Sequence, residues 1–341
     1  MTRQMNHTAP AVLGRARELV EPALRLAVGK LADPQMRLIA GYQMGWCDAD
    51  GRPTEGGGKA IRPALAVLSA EAVLGTADCG IPGALAVELV HNFSLLHDDV
   101  MDRDVERRHR PTGWVVFGDG QAILAGNAML TLAIELLAEW GLAGRRSLPC
   151  LLDATQLLIS GQSQDLRLEQ AEAVELHEVL AMESGKTAAL LSCASSIGAL
   201  AAGAPEHIVA GLAAFGEELG IAFQLVDDIL GVVGDPAKTG KSSSSDVRAG
   251  KRSAPIVAAM SGDSRAATEL RELFSGEPPA TEADVERATQ LITEAGGLDW
   301  AVREADRRLA TALEHLAGLE LVDSAAAELA AVATYIVSRD R

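Results

Sequence analysis

Two apolar, helix-periodic runs end in paired aspartates: "LLHDDVMD" (95–102) and "FQLVDD" (223–228). No other feature limits the fold as strongly. Asp98 and Asp102 are four apart, so on a helix they share a face one turn apart, with Asp99 alongside. Carboxylates that close raise each other's pKa unless a cation neutralises them. A solvated charged face would explain one such group. Two groups, with Asp227 and Asp228 closing the second run, fit a helical bundle better. Facing each other across the bundle, they would form one mouth above an apolar cavity. A hard divalent ion suits these acids, and magnesium takes one or two carboxylates and completes its shell with water and phosphate.

The rest of the chain supports helices. Helical periodicity recurs almost everywhere, and no segment shows sustained β alternation with hairpin turns. The 341 residues are 48% hydrophobic but only 3% aromatic, so the core is aliphatic, which favours helices over sheets. Breaks are expected at Pro34, 48–59, Pro82, 110–113, Pro149, 203–206 and 234–246. Thr281 is placed to cap a helix, with Asp284 three residues on. The run 187–205 is uncharged, but its serines, glycines and many alanines make it a buried bundle helix rather than a membrane span. The expectation is a single all-α domain over residues 11–341, after a loose segment 1–10.

Thirty basic and 47 acidic residues leave a net charge of −17. Such a chain is a poor partner for nucleic acid or an anionic membrane surface. Cys47, Cys79, Cys150 and Cys193 form no CxxC pair, which argues against a zinc site or disulfide framework. Reduced thiols and the absence of a signal-like apolar N-terminus suit a cytoplasmic protein without stable membrane insertion.

Basic residues offer local anion sites despite the net charge. Lys59 and Arg62 follow a glycine run at a predicted helix start, where backbone N–H groups also attract anions. Arg107 and Arg108 follow the first aspartates, and Lys241 and Lys251 lie on a Gly/Ser-rich stretch with the character of a lid. "ESGKTA" and "GDPAKTGKS" both miss the Walker spacing and follow no predicted strand. No HExxH pattern supports a zinc hydrolase.

These motifs, in order from "GGGKAIRP" to "SDVRAGKRSAP", resemble the trans-isoprenyl diphosphate synthases, or polyprenyl synthetases. The resemblance implies an all-α isoprenoid synthase fold around a deep central cavity. It implies that Asp98 and Asp102 ligate magnesium with Asp99 in support, and that Asp227 serves a further ion with Asp228 and Gln224 beside it. Three magnesium ions per site are implied, with manganese as a substitute. Lys59, Arg62, His91 and Arg108 resemble the pocket for isopentenyl diphosphate. Arg107, Lys186 and Lys241 resemble the residues that grip the allylic diphosphate, and Lys251 matches a further family lysine. Thr187 and Gln224 resemble the groups whose dipoles face the nascent cation, and Gln162 and Asp165 match an element near the metals. Many members carry an aspartate at the fifth position of the second motif. Here it is Gly231, leaving Asp235 or water to substitute. Homodimerisation is implied by the family alone.

The four and five positions before Asp98 are Ser94 and Phe93. Ser94 leaves room in the apolar tunnel and Phe93 forms a floor, one turn deeper. Within the family this pattern resembles short-chain enzymes making geranylgeranyl diphosphate (C20). Farnesyl (C15) or longer products are the alternatives. A terpene cyclase and a non-catalytic subunit of a heteromeric synthase are the rival classes. The isopentenyl set argues against the first, and both intact aspartate pairs argue against the second.

Overall fold

The protein is described by a computed structural model over residues 8–338, apart from positions 55, 57, 172, 235–243, 276–278 and 280. It is helical, and its packing sorts into two compact units. One comprises Met1–Thr155, Leu190–Gly216 and Leu313–Tyr335; the other comprises Gln156–Ala189, Glu217–Ala312 and Ile336–Arg341.

In the first unit, α1 (Ala9–Val28) begins inside the segment expected to be loose. Pro10 pre-sets a helical φ in its first turn, and Ala9 is already buried. Helix α2 (Pro34–Gln43) starts at the predicted break, with the Asp33 side chain accepting from Gln35 N. Helices α3 (Ile61–Leu74) and α4 (Ile81–Met101) follow. Helix α4 buries most of its residues and packs on α3 and on α6 (Asp119–Glu139). Between them lie a two-rung hairpin, β1 (Glu106–Arg107) and β2 (Arg110–Pro111), and a short α5 (Gly113–Phe117). Two rungs are too few to leave an alternating pattern in the sequence.

Helix α7 (Gly141–Glu169) passes through Pro149 without breaking. Pro149 and the residues one turn before it, Arg145 and Arg146, are exposed. Water can satisfy the backbone there while Ser147 and Leu151 stay buried. The uncharged run forms α9 (Ala189–Ala202), which buries Leu190, Leu191, Ala194 and Ile197. Small residues let these helices approach closely: a Cβ on Gly198 would lie 2.1 Å from the Ala66 carbonyl oxygen. Three other helical segments, Asp78–Met101, Asp119–Glu139 and Glu206–Val233, are long and apolar enough to cross a membrane by length and composition.

In the second unit, α8 (Leu176–Glu183) runs into a π-turn at Ser184–Ala188. Helix α10 (Glu206–Val233) contributes its C-terminal half. A single-turn α11 (Ser245–Arg248), α12 (Ala254–Met260), α13 (Arg265–Leu273), α14 (Glu282–Glu294) and most of α15 (Gly297–Ala317) follow. Thr281 caps α14 as the sequence indicates, accepting from Asp284 N at 3.2 Å. The last described helix, α16 (Asp323–Ser338), lies mostly in the first unit.

Candidate active site

The first aspartate motif closes α4. Asp102 is the C-cap, and its N–H donates to the Asp98 carbonyl at 2.8 Å. The Asp99 side chain is 1% exposed and accepts from Arg107 Nε at 2.7 Å. Its second oxygen is buried without a hydrogen-bond partner among the described residues. Burial raises the Asp99 pKa, and the Arg107 charge opposes that rise. The geometry makes Asp99 an anchor for Arg107, with one oxygen left for a further donor or cation.

Arg107 is presented by the hairpin. Arg108 and His109 form its turn, and both have positive φ, 53° and 59°. A two-residue turn with that signature matches the twist of the strands but usually takes Asn-Gly. The two arginines reach different surroundings. Arg107 lies against Asp99, with Asp104 at 3.8 Å, whereas the Arg108 guanidinium lies 3.5 Å from a Cβ built on Gly58. The Asp104 carbonyl accepts from Thr112 Oγ1 at 2.6 Å and Trp114 Nε1 at 2.8 Å, bracing the hairpin. Arg110 braces it from the other side, donating to the Cys47 carbonyl and lying over the Tyr42 ring. Arg103 pairs with Asp119 at 2.8 Å.

Arg62, in the first turn of α3, lies with Nη1 3.4 Å from His91 Nε2 on α4. Burial, then the fields of Arg62, Arg108 and Arg107, hold the His91 pKa far below its usual value, so the imidazole is neutral. Lys59 is exposed just before this turn. Below, Ser94 Oγ donates to the His91 carbonyl at 2.8 Å, and Phe93 meets His97 edge-on with centroids 4.9 Å apart. His97 is fixed in turn by the Ile123 carbonyl at 3.0 Å, and only a glycine fits opposite it at position 126.

In the second unit the π-turn carries Lys186 and Thr187. Lys186 Nζ lies 2.6 Å from Asp165 Oδ2. Thr187 Oγ1 donates to Gln224 Oε1, Gln224 Nε2 donates to Asp228 Oδ1, each at 2.8 Å, and Ala254 N donates to Asp228 Oδ2 at 3.0 Å. This relay locks Asp228, which is buried while Asp227 is half-exposed. Burial, then the Asp246 charge, push the Asp228 pKa up to about 6. Gln162 is buried with neither amide atom hydrogen-bonded among the described residues. Lys251 is half-buried, its N–H donating to the Asp246 carbonyl at 2.9 Å. Lys241 and Asp235 lie outside the described residues.

Two acids here escaped the sequence reading. Glu183, 2% exposed, ends α8 with neither carboxyl oxygen hydrogen-bonded among the described residues. Burial, then Asp228, push its pKa well up. Its place just before "SGKT" is the one signal that could have marked it. Asp246 answers the question raised by Gly231: a Cβ at 231 would lie 2.3 Å from Asp246 Oδ2. The space left by the missing aspartate side chain is taken by a carboxylate from α11.

Among the described residues, no three His, Cys, Asp or Glu side chains are disposed as a ready metal cage. Magnesium does not require one, since water and phosphate supply most of its ligands. The donor chemistry fits it: hard oxygens, a buried orphan oxygen on Asp99, and a second cluster of carboxyl groups in which burial and then neighbouring acids raise the Asp228 and Glu183 pKa values.

The family model described as polyprenyl synthetase matches residues 52–292. The chain is 44% identical over 342 residues to a (2E,6E)-farnesyl diphosphate synthase of Mycobacterium tuberculosis, covering 99% of this chain and 95% of that protein. It is also 44% identical over 312 residues to a geranylgeranyl diphosphate synthase of the same organism, covering 90% and 88%. The crystal structure of a polyprenyl synthetase from Streptomyces coelicolor A3(2) aligns with a TM-score of 0.92 and 47% identity, over 96% of this chain and 99% of that one. The chain therefore belongs to the polyprenyl synthetase family and is a prenyltransferase with the all-α isoprenoid synthase fold.

Proposed function

We propose that this enzyme condenses isopentenyl diphosphate with an allylic diphosphate to make geranylgeranyl diphosphate. The observation that carries the chain length is the buried Phe93, held edge-on by His97, beside the small Ser94. Relatives named for C15 and for C20 products match about equally well, so identity does not choose between them. Purified protein assayed with isopentenyl diphosphate and separate C5, C10 and C15 primers tests the reading. Extension to C20 supports it, whereas a stop at C15, or cyclisation without extension, overturns it. Phe93→Ala is expected to add at least one C5 unit to the main product by chromatography. An unchanged length would remove Phe93 as the floor.

In this mechanism Arg107, Lys186 and Lys241 bind the allylic diphosphate, and Lys59, Arg62, neutral His91 and Arg108 bind the isopentenyl diphosphate. The allylic C–O bond breaks and its electron pair leaves with diphosphate. The isopentenyl double bond attacks the resulting cation, forming the new C–C bond, and a proton passes to the released diphosphate. Thr187 and Gln224 direct their dipoles at the cation. Members of this family are magnesium-dependent. Asp98, Asp102 and Asp227 would hold magnesium, with Asp99 and Asp228 in support, and the bound metal supplies Lewis-acid stabilisation of the leaving group.

Asp228 links metal affinity to pH. Its pKa is raised from 3.8 to about 6, so the metal-free fold binds an extra proton and loses stability as pH rises across that window. Below about 6 the proton competes with the metal. The melting-temperature gain from magnesium plus inorganic diphosphate is expected to be large at about pH 7.5 and to shrink by pH 5.5. A pH-independent gain would overturn this linkage.

The reading includes a cytoplasmic homodimer. Helix α6 leaves Ile123 and Leu124 exposed, an apolar face suited to a second copy. Light scattering should then give twice the 35.6 kDa chain mass.

A further inference from the structure

Glu88 is the one acid in α4 before the aspartate motif, set among buried apolar residues from Pro82 to Val90. Burial raises its pKa, and the fields of Arg62, Arg108 and Arg17 draw it back. Those cations come from α3, the hairpin turn and α1. Asn92 Nδ2 fixes the carboxylate, donating to Glu88 Oε1 at 3.0 Å and to the Glu88 carbonyl at 2.9 Å. Arg17 donates to the Gly58 carbonyl, and the Arg108 guanidinium lies 3.5 Å from a Cβ built on the same glycine. Arg17, Gly58 and Glu88 line one pocket.

We propose that Glu88 is a positioning residue: the shared counter-charge that holds Arg17, Arg62 and Arg108 together around the isopentenyl diphosphate site, with Arg17 as a further cation of that site. The inference rests on the reading that Lys59, Arg62, His91 and Arg108 receive that diphosphate. Guanidinium groups crowded in an empty pocket repel one another and splay apart. A carboxylate pinned by Asn92 lets them wait in place, so the incoming diphosphate meets a set already arranged. Repulsion between Glu88 and the ligand is the opposing effect. The isopentenyl diphosphate KM of the Glu88→Gln enzyme shows which of the two effects prevails.

Glu88→Gln keeps the size and the acceptor for Asn92 and removes only the charge. It is expected to raise KM for isopentenyl diphosphate about tenfold, while KM for the allylic primer stays within about twofold and kcat within about threefold. The melting temperature should hold. An unchanged or lower isopentenyl KM overturns the proposal, as does an equal rise in both KM values. Arg17→Gln, at an exposed position, tests the same network from α1 and should raise the isopentenyl KM alone, several-fold; no change overturns the part given to Arg17. Arg62→Ala separates the two levels. If it leaves the isopentenyl KM unmoved, the assignment of the pocket fails and the inference falls with it. If it raises that KM and Glu88→Gln does not, only the role of Glu88 fails.

Discussion

Gly161→Ala is expected to destabilise the enzyme by about 1–3 kcal/mol and to lower kcat about a hundredfold. In most helix interiors the same change stabilises by about 1 kcal/mol, so the sign is diagnostic. The reason is the crossing of α7 and the π-turn. A Cβ at 161 would lie 2.2 Å from Lys186 N, 2.7 Å from Gly185 C and 2.8 Å from Lys186 Cα. All three are backbone atoms and cannot swing aside. Gly185 faces back, its own Cβ position 3.2 Å from Gly161 Cα. A methyl group must therefore push the π-turn away from α7, carrying Lys186 off Asp165 and Thr187 off Gln224. Thermal unfolding and steady-state kinetics on the same preparation check both effects. Wild-type values for both would show that the crossing adapts.

Gly231→Asp restores the family's commoner motif and is expected to impair the enzyme. Asp246 already fills that space, and a second carboxylate would meet it below van der Waals contact. Overpacking and like-charge repulsion then act together on a cluster that already holds Asp228 and Glu183. A fall in kcat of about a hundredfold is expected, with a lower melting temperature. Gly231→Asp combined with Asp246→Gly should recover most of the loss, because the carboxylate is then moved rather than doubled. A single variant that behaves as wild type, or a double variant no better than the single, would refute the exchange.

The contrast between these residues shows what the chain displays openly. Helices were legible because burial imposes a 3.6-residue period, and the aspartate pairs because each ends an apolar run. Pro149 misled because its cost depends on which face meets water, and that face is set by tertiary packing. The hairpin was hidden because two rungs leave no period, and its Arg-His turn lacks the usual glycine. Glu88 and Glu183 read as ordinary acids, since a buried carboxyl looks like an exposed one until its neighbours are known. Asp246 sits in a serine-rich stretch, fifteen residues from the glycine it complements. Asp104 and Arg110, which had no role in the sequence, brace the hairpin that presents the two arginines.

That hairpin has a thermodynamic consequence. Arg107 and Arg108 are joined by a single peptide bond, yet one lies against Asp99 and the other beside Gly58. A ligand that orders either side chain restrains the backbone of both. On the proposed assignment, a diphosphate held by Arg107 and one held by Arg108 therefore act through the same short backbone. Linkage makes the effect reciprocal, so each substrate should change the affinity for the other by the same factor, whichever binds first.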